Sequence, residues 1–288
     1  MKKVQSQLKS DLFAYQGEVL NKFNDRIKEI ELFFGLIEQF EAVDPAQLIL
    51  VDSNIHLITE QDLKISTGNS VEITVRTLLR KLKLQTPDVD LINIFKSNSV
   101  LLLYNLLEST ISNADRFILK TITNANITYL QAAPMIKKFW LKHVSKFNKN
   151  EYLNIAINLL DKIETLKIDV DKQVNDNEKE FQGNLDPKTV DELLMNYGID
   201  VTKLAMLKQE TERKAVQNIV TWRNDLAHGK YSFAEFGRDK LRYNMSKKDK
   251  HRERTNDILF LKESCFIFLE IFLGNIEVYI EQSSYKIK

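Results

Sequence analysis

The stretch "TWRNDLAHGKYSF", Thr221 to Phe233, places Trp222, Arg223, Asn224, Asp225 and His228 on about two turns of chain, with Gly229 directly behind them. With Asn224 at zero on a wheel of about 100° per residue, Gln217, Thr221 and His228 fall within about 60° of it and make one polar stripe. Val216, Ile219, Val220, Trp222, Leu226 and Ala227 fill the opposite arc, and Arg223 lands in the middle of it, at about 260°. A guanidinium facing a core is costly unless it finds partners. Gly229 suits the residue just past a helix end, and the helix dipole favours a cation near the carbonyl end. Spacing alone leaves two readings open. In one, Arg223 makes a buried structural ion pair and His228 caps the helix. In the other the same residues form a site, with His228 as proton donor or phosphate ligand. On an ideal helix Arg223 and His228 diverge by about 140°. Their convergence needs a loosened helix end, a curled arginine or a second subunit.

The rest of the chain bounds what such a site belongs to. It has 288 residues, 43% hydrophobic and 28% charged, with only 8 Gly and 4 Pro. That length can bury one large core or two smaller ones, and the scarcity of breakers beside abundant Leu, Ile, Lys, Glu and Asn predicts an all-α protein. A net charge of +1 supplies no whole-molecule attraction to nucleic acid, so any such binding rests on a local patch. The single cysteine, Cys265, excludes an intrachain disulfide and reads as a core residue within "ESCFIFLEIFLGNI". No apolar run of the signal-peptide kind opens the chain. "CFIFLEIFLGNI", interrupted by Glu270, falls short of the roughly 18 uninterrupted apolar residues of a membrane span, so a cytoplasmic protein is expected. His56, His143 and His251 show no metal-ligand spacing, and no phosphate-binding glycine loop or nucleophile elbow occurs. Neither metal nor cofactor is expected.

Apolar positions at three- and four-residue steps predict a long amphipathic helix over residues 3–41, ended by Asp44-Pro45. β-branched runs between 47 and 70 leave room for a short hairpin, and "VEITVRTLLRKLKL" resumes a helical pattern. Further helices are expected over Ser99–Thr123, after Pro134, over Glu151–Leu166, from about Met206 to Ala227 and over Thr255–Glu281. "GNLDPKTVDELLMNYGID" predicts a helix with Asp186 as N-cap, Pro187 at its first position and Gly198 just past its end.

Two further groups invite a functional reading. Asn105, Glu108, Ser112 and Asp115 recur at helical steps inside an apolar sequence, either as a solvated face or as partners of a buried cation, Glu108 pairing with Arg223 and Asn105 behind it. "GRDKLRYNMSKKDKHRER", Gly237 to Arg254, holds eight Lys/Arg against three Asp/Glu, with Tyr231, Phe233, Phe236 and Tyr243 in or beside it. Most such runs are solvated loops. Beside the motif, this one offers phosphate contacts from Lys230, Arg238, Lys240 and Arg242, and aromatic faces for stacking single-stranded RNA.

"RNDLAHG" (Arg223–Gly229) resembles the signature of HEPN-superfamily ribonucleases: Arg, a polar residue, spacers, then His. "LLYNLLESTISNA" (Leu102–Ala114), "FQGNLDPKTVDELLMNYGI" (Phe181–Ile199) and "RNDLAHGKYSFAEFGRD" (Arg223–Asp239) occur in the order typical of the MAE-type HEPN-like branch. The resemblance covers roughly residues 90–288, so residues 1–90 are expected to be an N-terminal helical extension or cap and residues 91–288 the HEPN-like domain. It implies an all-α bundle that dimerises, with Arg-His motifs of two subunits lining one cleft. It also implies metal-independent endoribonuclease activity, in toxin–antitoxin or antiviral defence systems, with an antitoxin or defence-system partner. Carried over, Arg223 is the motif arginine, Asn224 the polar residue and His228 the motif histidine, with Asp225 in a supporting spacer position. The alternative is a non-catalytic helical module of the same fold that binds RNA or a protein.

Overall fold

In a computed structural model, the structure describes residues 10–42, 48–51, 54–57, 89–147, 164–168, 185–200, 210–242 and 255–287. The helices are α1 (Asn21–Ala42), α2 (Val89–Asn124), α3 (Pro134–Phe147), α4 (Pro187–Tyr197), α5 (Glu210–Ala227), α6 (Phe233–Lys240) and α7 (Ile258–Glu281). A helical stretch from residue 10 and a π-turn, Gln16–Leu20, lead into α1. Among the described residues the fold is all-α apart from one antiparallel hairpin, β1 (Leu48–Val51) with β2 (Asn54–Leu57), paired Leu48 to Leu57 and Val51 to Asn54.

The long α2, 36 residues, is the axis of the bundle. Helices α1, α5, α6 and α7 all pack on it. Val100, Leu103, Tyr104, Leu106, Leu107, Ile111 and Ala114 are buried along its length. The most apolar helix, α7, supplies the opposing wall through Ile258, Leu261, Cys265, Phe268, Leu269, Phe272 and Ile276. The N-terminal helix closes this core with Tyr15, Val19, Phe23, Ile30, Phe34 and Ile37. The Tyr15 hydroxyl donates to the carbonyl of Leu273 over 3.0 Å, tying the start of the chain to its last helix. The expected division near residue 90 falls beside 58–88, outside the described residues.

Helix ends follow local chemistry. Asp186 Oδ1 accepts from the Thr189 amide at 2.8 Å, Pro187 occupies the first turn, and Gly198 takes φ +80° after the last turn of α4. The amides of Gly198 and Ile199 bond back to Met195 and Leu194, closing orphan carbonyls. Arg213 of α5 clamps this helix through Asp191 at 2.6 Å and the Pro187 carbonyl at 3.2 Å. Helix α3 begins at Pro134 as the sequence predicts. Residues 164–166, the predicted end of the helix expected over Glu151–Leu166, are not helical; 151–163, like "VEITVRTLLRKLKL", lies outside the described residues.

Helix α2 starts ten residues before the predicted Ser99, at Val89. Its first turns carry Asn93, Ser97 and Ser99, polar but buried, because α6 lies directly across them. The Ser97 hydroxyl donates to the carbonyl of Phe233 at 2.6 Å. Gly237 approaches so closely that a Cβ there would stand 2.0 Å from the Asn93 carbonyl oxygen. Gly237→Ala is therefore expected to cost about 3 kcal/mol through overpacking against backbone. Gly274→Ala, in a mid-helix position with open space around its Cβ, should stabilise by about 0.5–1 kcal/mol. Paired denaturant titrations check both signs, and an undisturbed Gly237→Ala protein would contradict this packing.

Candidate active site at the end of the fifth helix

Helix α5 buries Ala215, Val216, Ile219, Val220 and Leu226, while Gln217, Thr221 and His228 are exposed, as the wheel predicts. Ala227, expected on the apolar arc, is exposed where the helix ends. The end is a glycine cap. Gly229 takes φ +67°, its amide bonds to the Leu226 carbonyl at 3.1 Å, and the Lys230 amide reaches the Asp225 carbonyl at 2.9 Å. This places His228 at the last half-helical position, its amide on the Asn224 carbonyl at 2.9 Å and its imidazole in solvent. The helix is thus capped, by backbone geometry rather than by the imidazole.

Arg223 is half-buried, and its guanidinium carbon lies 4.5 Å from the centroid of the Tyr104 ring of α2. Its Nη1 donates to Asn224 Oδ1 at 3.0 Å. Among the described residues it forms no ion pair, and the expected Glu108–Arg223 bridge is not made. The physical reason is the neighbour one turn before Glu108: an aromatic face and an amide oxygen take the place of a carboxylate. Asn105 is displaced too. It is exposed and lines a shallow cleft with Arg26, Glu29 and Ile30 of α1, about 100° round α2 from Tyr104. Asp115, predicted on the same face, is buried and accepts from the Tyr197 hydroxyl.

Tyr104 is fully buried, and its hydroxyl has no hydrogen-bond partner among the described residues. Burial first, and the Glu108 carboxylate second, push its phenol above the usual tyrosine range, while Arg223 pulls it back in part. The sequence reading missed this residue. Its one signal was a lone tyrosine in "LLLYNLLEST", and its pairing with an arginine 119 positions away belongs to the tertiary structure.

The basic residues beyond the motif divide by what already holds them. Lys230 pairs with Asp225 at 3.2 Å, and both Lys230 and Lys240 sit over the Tyr231 ring, at 5.6 and 5.5 Å from its centroid. Arg238 pairs with Asp239 at 3.1 Å. Arg242 Nη1 donates to the carbonyls of Arg238 and Leu241, both at 2.9 Å, and so closes the end of α6. Phe236, expected as a stacking face, is fully buried between Trp222 and Tyr231, at 5.7 and 5.8 Å between centroids, and cannot receive a base. Residues 243–254 lie outside the described residues.

The chain belongs to the HEPN_MAE_28990-like HEPN family, whose sequence profile matches residues 15–285 and so takes in the N-terminal helix as well. No curated protein and no solved structure matches it. Among the described residues, no helix is long and apolar enough to cross a membrane.

The charges round Tyr104 make a titration informative. Because its folded value is raised above the ordinary 10.0, the stability it contributes is fully present below pH 10 and is lost as pH rises through the folded value. In an alkaline ultraviolet titration, Glu108→Gln should bring the Tyr104 ionisation down and Arg223→Gln should move it up. Opposite or absent shifts would contradict the arrangement.

Proposed function

We propose that this protein is an endoribonuclease that cleaves RNA without a metal. The RNA 2′-oxygen bonds to the adjacent phosphorus as the bond from phosphorus to the 5′-oxygen breaks. A base removes the 2′-hydroxyl proton and an acid returns one to the leaving 5′-oxygen, so the products end in a 2′,3′-cyclic phosphate and a 5′-hydroxyl. The observation that carries this reading is the state of Arg223. Its guanidinium is held between an aromatic ring and an amide and has no carboxylate to neutralise it among the described residues. A fixed cation with N–H groups to spare suits the charge that develops on phosphoryl oxygens. Asn224 orients the guanidinium, and the exposed His228 transfers the proton. Asp225 supports by holding Lys230, and Glu108 acts through the field at Tyr104. Lys240 meets substrate phosphates; Lys230, Arg238 and Arg242, already engaged, contribute less.

The two motif side chains point apart in one chain: Arg223 lies on α2 while His228 stands in solvent. A homodimer joins the arginine of one subunit to the histidine of the other in this reading. In the cytoplasm such an enzyme serves a toxin or antiviral defence system, restrained by a partner. The same divergence favours a second reading, a non-catalytic module that binds RNA or protein.

Purified protein with chelator present should cleave single-stranded RNA to cyclic-phosphate ends. His228→Ala should lower the rate on the order of 10²–10⁴-fold, and Arg223→Ala on the order of 10²–10³-fold, with both variants folded. Mixing the two inactive variants should restore activity if one site draws on two subunits, and should restore none if each chain holds its own. RNA binding without turnover in the wild type supports the second reading, and full activity of His228→Ala refutes the first.

A further inference from the structure

We infer that Tyr104 is a positioning residue, the platform that holds the Arg223 guanidinium in the place its role requires. This rests on the ribonuclease reading for its consequence, but not for its geometry. An arginine side chain has four rotatable torsions, and a half-exposed one samples many of them unless something holds it. Asn224 is its neighbour in sequence and bonds only one nitrogen, Nη1, so that contact alone leaves the guanidinium free to swing. The Tyr104 ring supplies the second restraint, 4.5 Å below the guanidinium carbon. The ring cannot drift, being fully buried in the middle of α2 with Leu103 and Leu107 buried on either side. A cation over a fixed aromatic face is attracted to that face and keeps N–H groups available.

Two further observations point to the ring rather than the hydroxyl as the working part. The hydroxyl is enclosed and has no hydrogen-bond partner among the described residues, so it anchors nothing. Glu108 lies one turn along the same face of α2, close enough to act on the phenol, yet makes no bridge to Arg223. The arginine is thus held by an uncharged surface and keeps its full charge for a phosphate, which a carboxylate partner would have offset.

The test uses Tyr104→Phe, which keeps the ring, and Tyr104→Leu, which removes it. Both are measured by single-turnover RNA cleavage and by NMR of the Arg223 side-chain N–H, whose shift reports the ring beneath it in the protein alone. Tyr104→Phe should retain the ring-shifted signal and cleave within about threefold of wild type. Tyr104→Leu should lose the shifted signal and fall in kcat on the order of 100-fold, as expected of a misplaced group, with KM changed far less. Wild-type cleavage by a folded Tyr104→Leu protein overturns the inference, as does a loss in Tyr104→Phe equal to that in Tyr104→Leu. An unshifted Arg223 signal in the wild type also overturns it. Absence of cleavage by the wild type, with the ring shift present and lost in Tyr104→Leu, refutes the ribonuclease reading and leaves the platform standing.

Discussion

A helix of 36 residues with apolar side chains round most of its circumference cannot remain in water, and the rest of the protein is arranged to cover α2. The first helix, α1, α5, α6 and α7 each take one side. The cover is close enough on the α6 side that backbone meets backbone at Gly237 and Asn93. Because α5 ends and α6 begins on the same stretch of α2, the loop carrying His228 to Ser232 is pinned at both ends. Gly229 closes the first helix, and Ser232 opens the second with a capping box to Glu235. The covering of α2 therefore fixes where the motif stands, before its own side-chain contacts are counted.

That arrangement explains how an arginine survives in an apolar arc. A guanidinium turned toward a core of leucines alone would lose hydration without recompense. Tyr104 changes the surface it meets, since an aromatic face attracts a cation while leaving its charge unneutralised. A buried carboxylate at the same place would have made a structural ion pair, the first of the two readings that spacing left open. The difference between a structural arginine and a working one lies here in the residue across the interface.

The helices were legible where short-range rules govern. Asp186, Pro187 and Gly198 punctuate α4 within a dozen residues, and the structure places each in its predicted role. The start of α2 was not legible, because Asn93, Ser97 and Ser99 read as surface residues and interrupt the apolar period. Their burial follows from α6, whose Phe233 meets Ser97 from 136 residues later in the chain. The same limit misled the reading of Phe236 and Asn105: one lies under Trp222 and Tyr231, the other beside α1, and neither neighbour is near in sequence in a way that periodicity reports.

By itself the sequence determined the helical class, the polar stripe of Gln217, Thr221 and His228, and the glycine end behind them, since all depend on residues within one or two turns of each other. It also marked Arg223 as a residue that needs a partner. Only the tertiary structure decided which partner, because Glu108 and Tyr104 share a face of α2 one turn apart and differ only in which of them α5 meets. A choice between side chains 4 residues apart on one helix is made by how a second helix crosses it, and the crossing is set by the packing of the whole bundle.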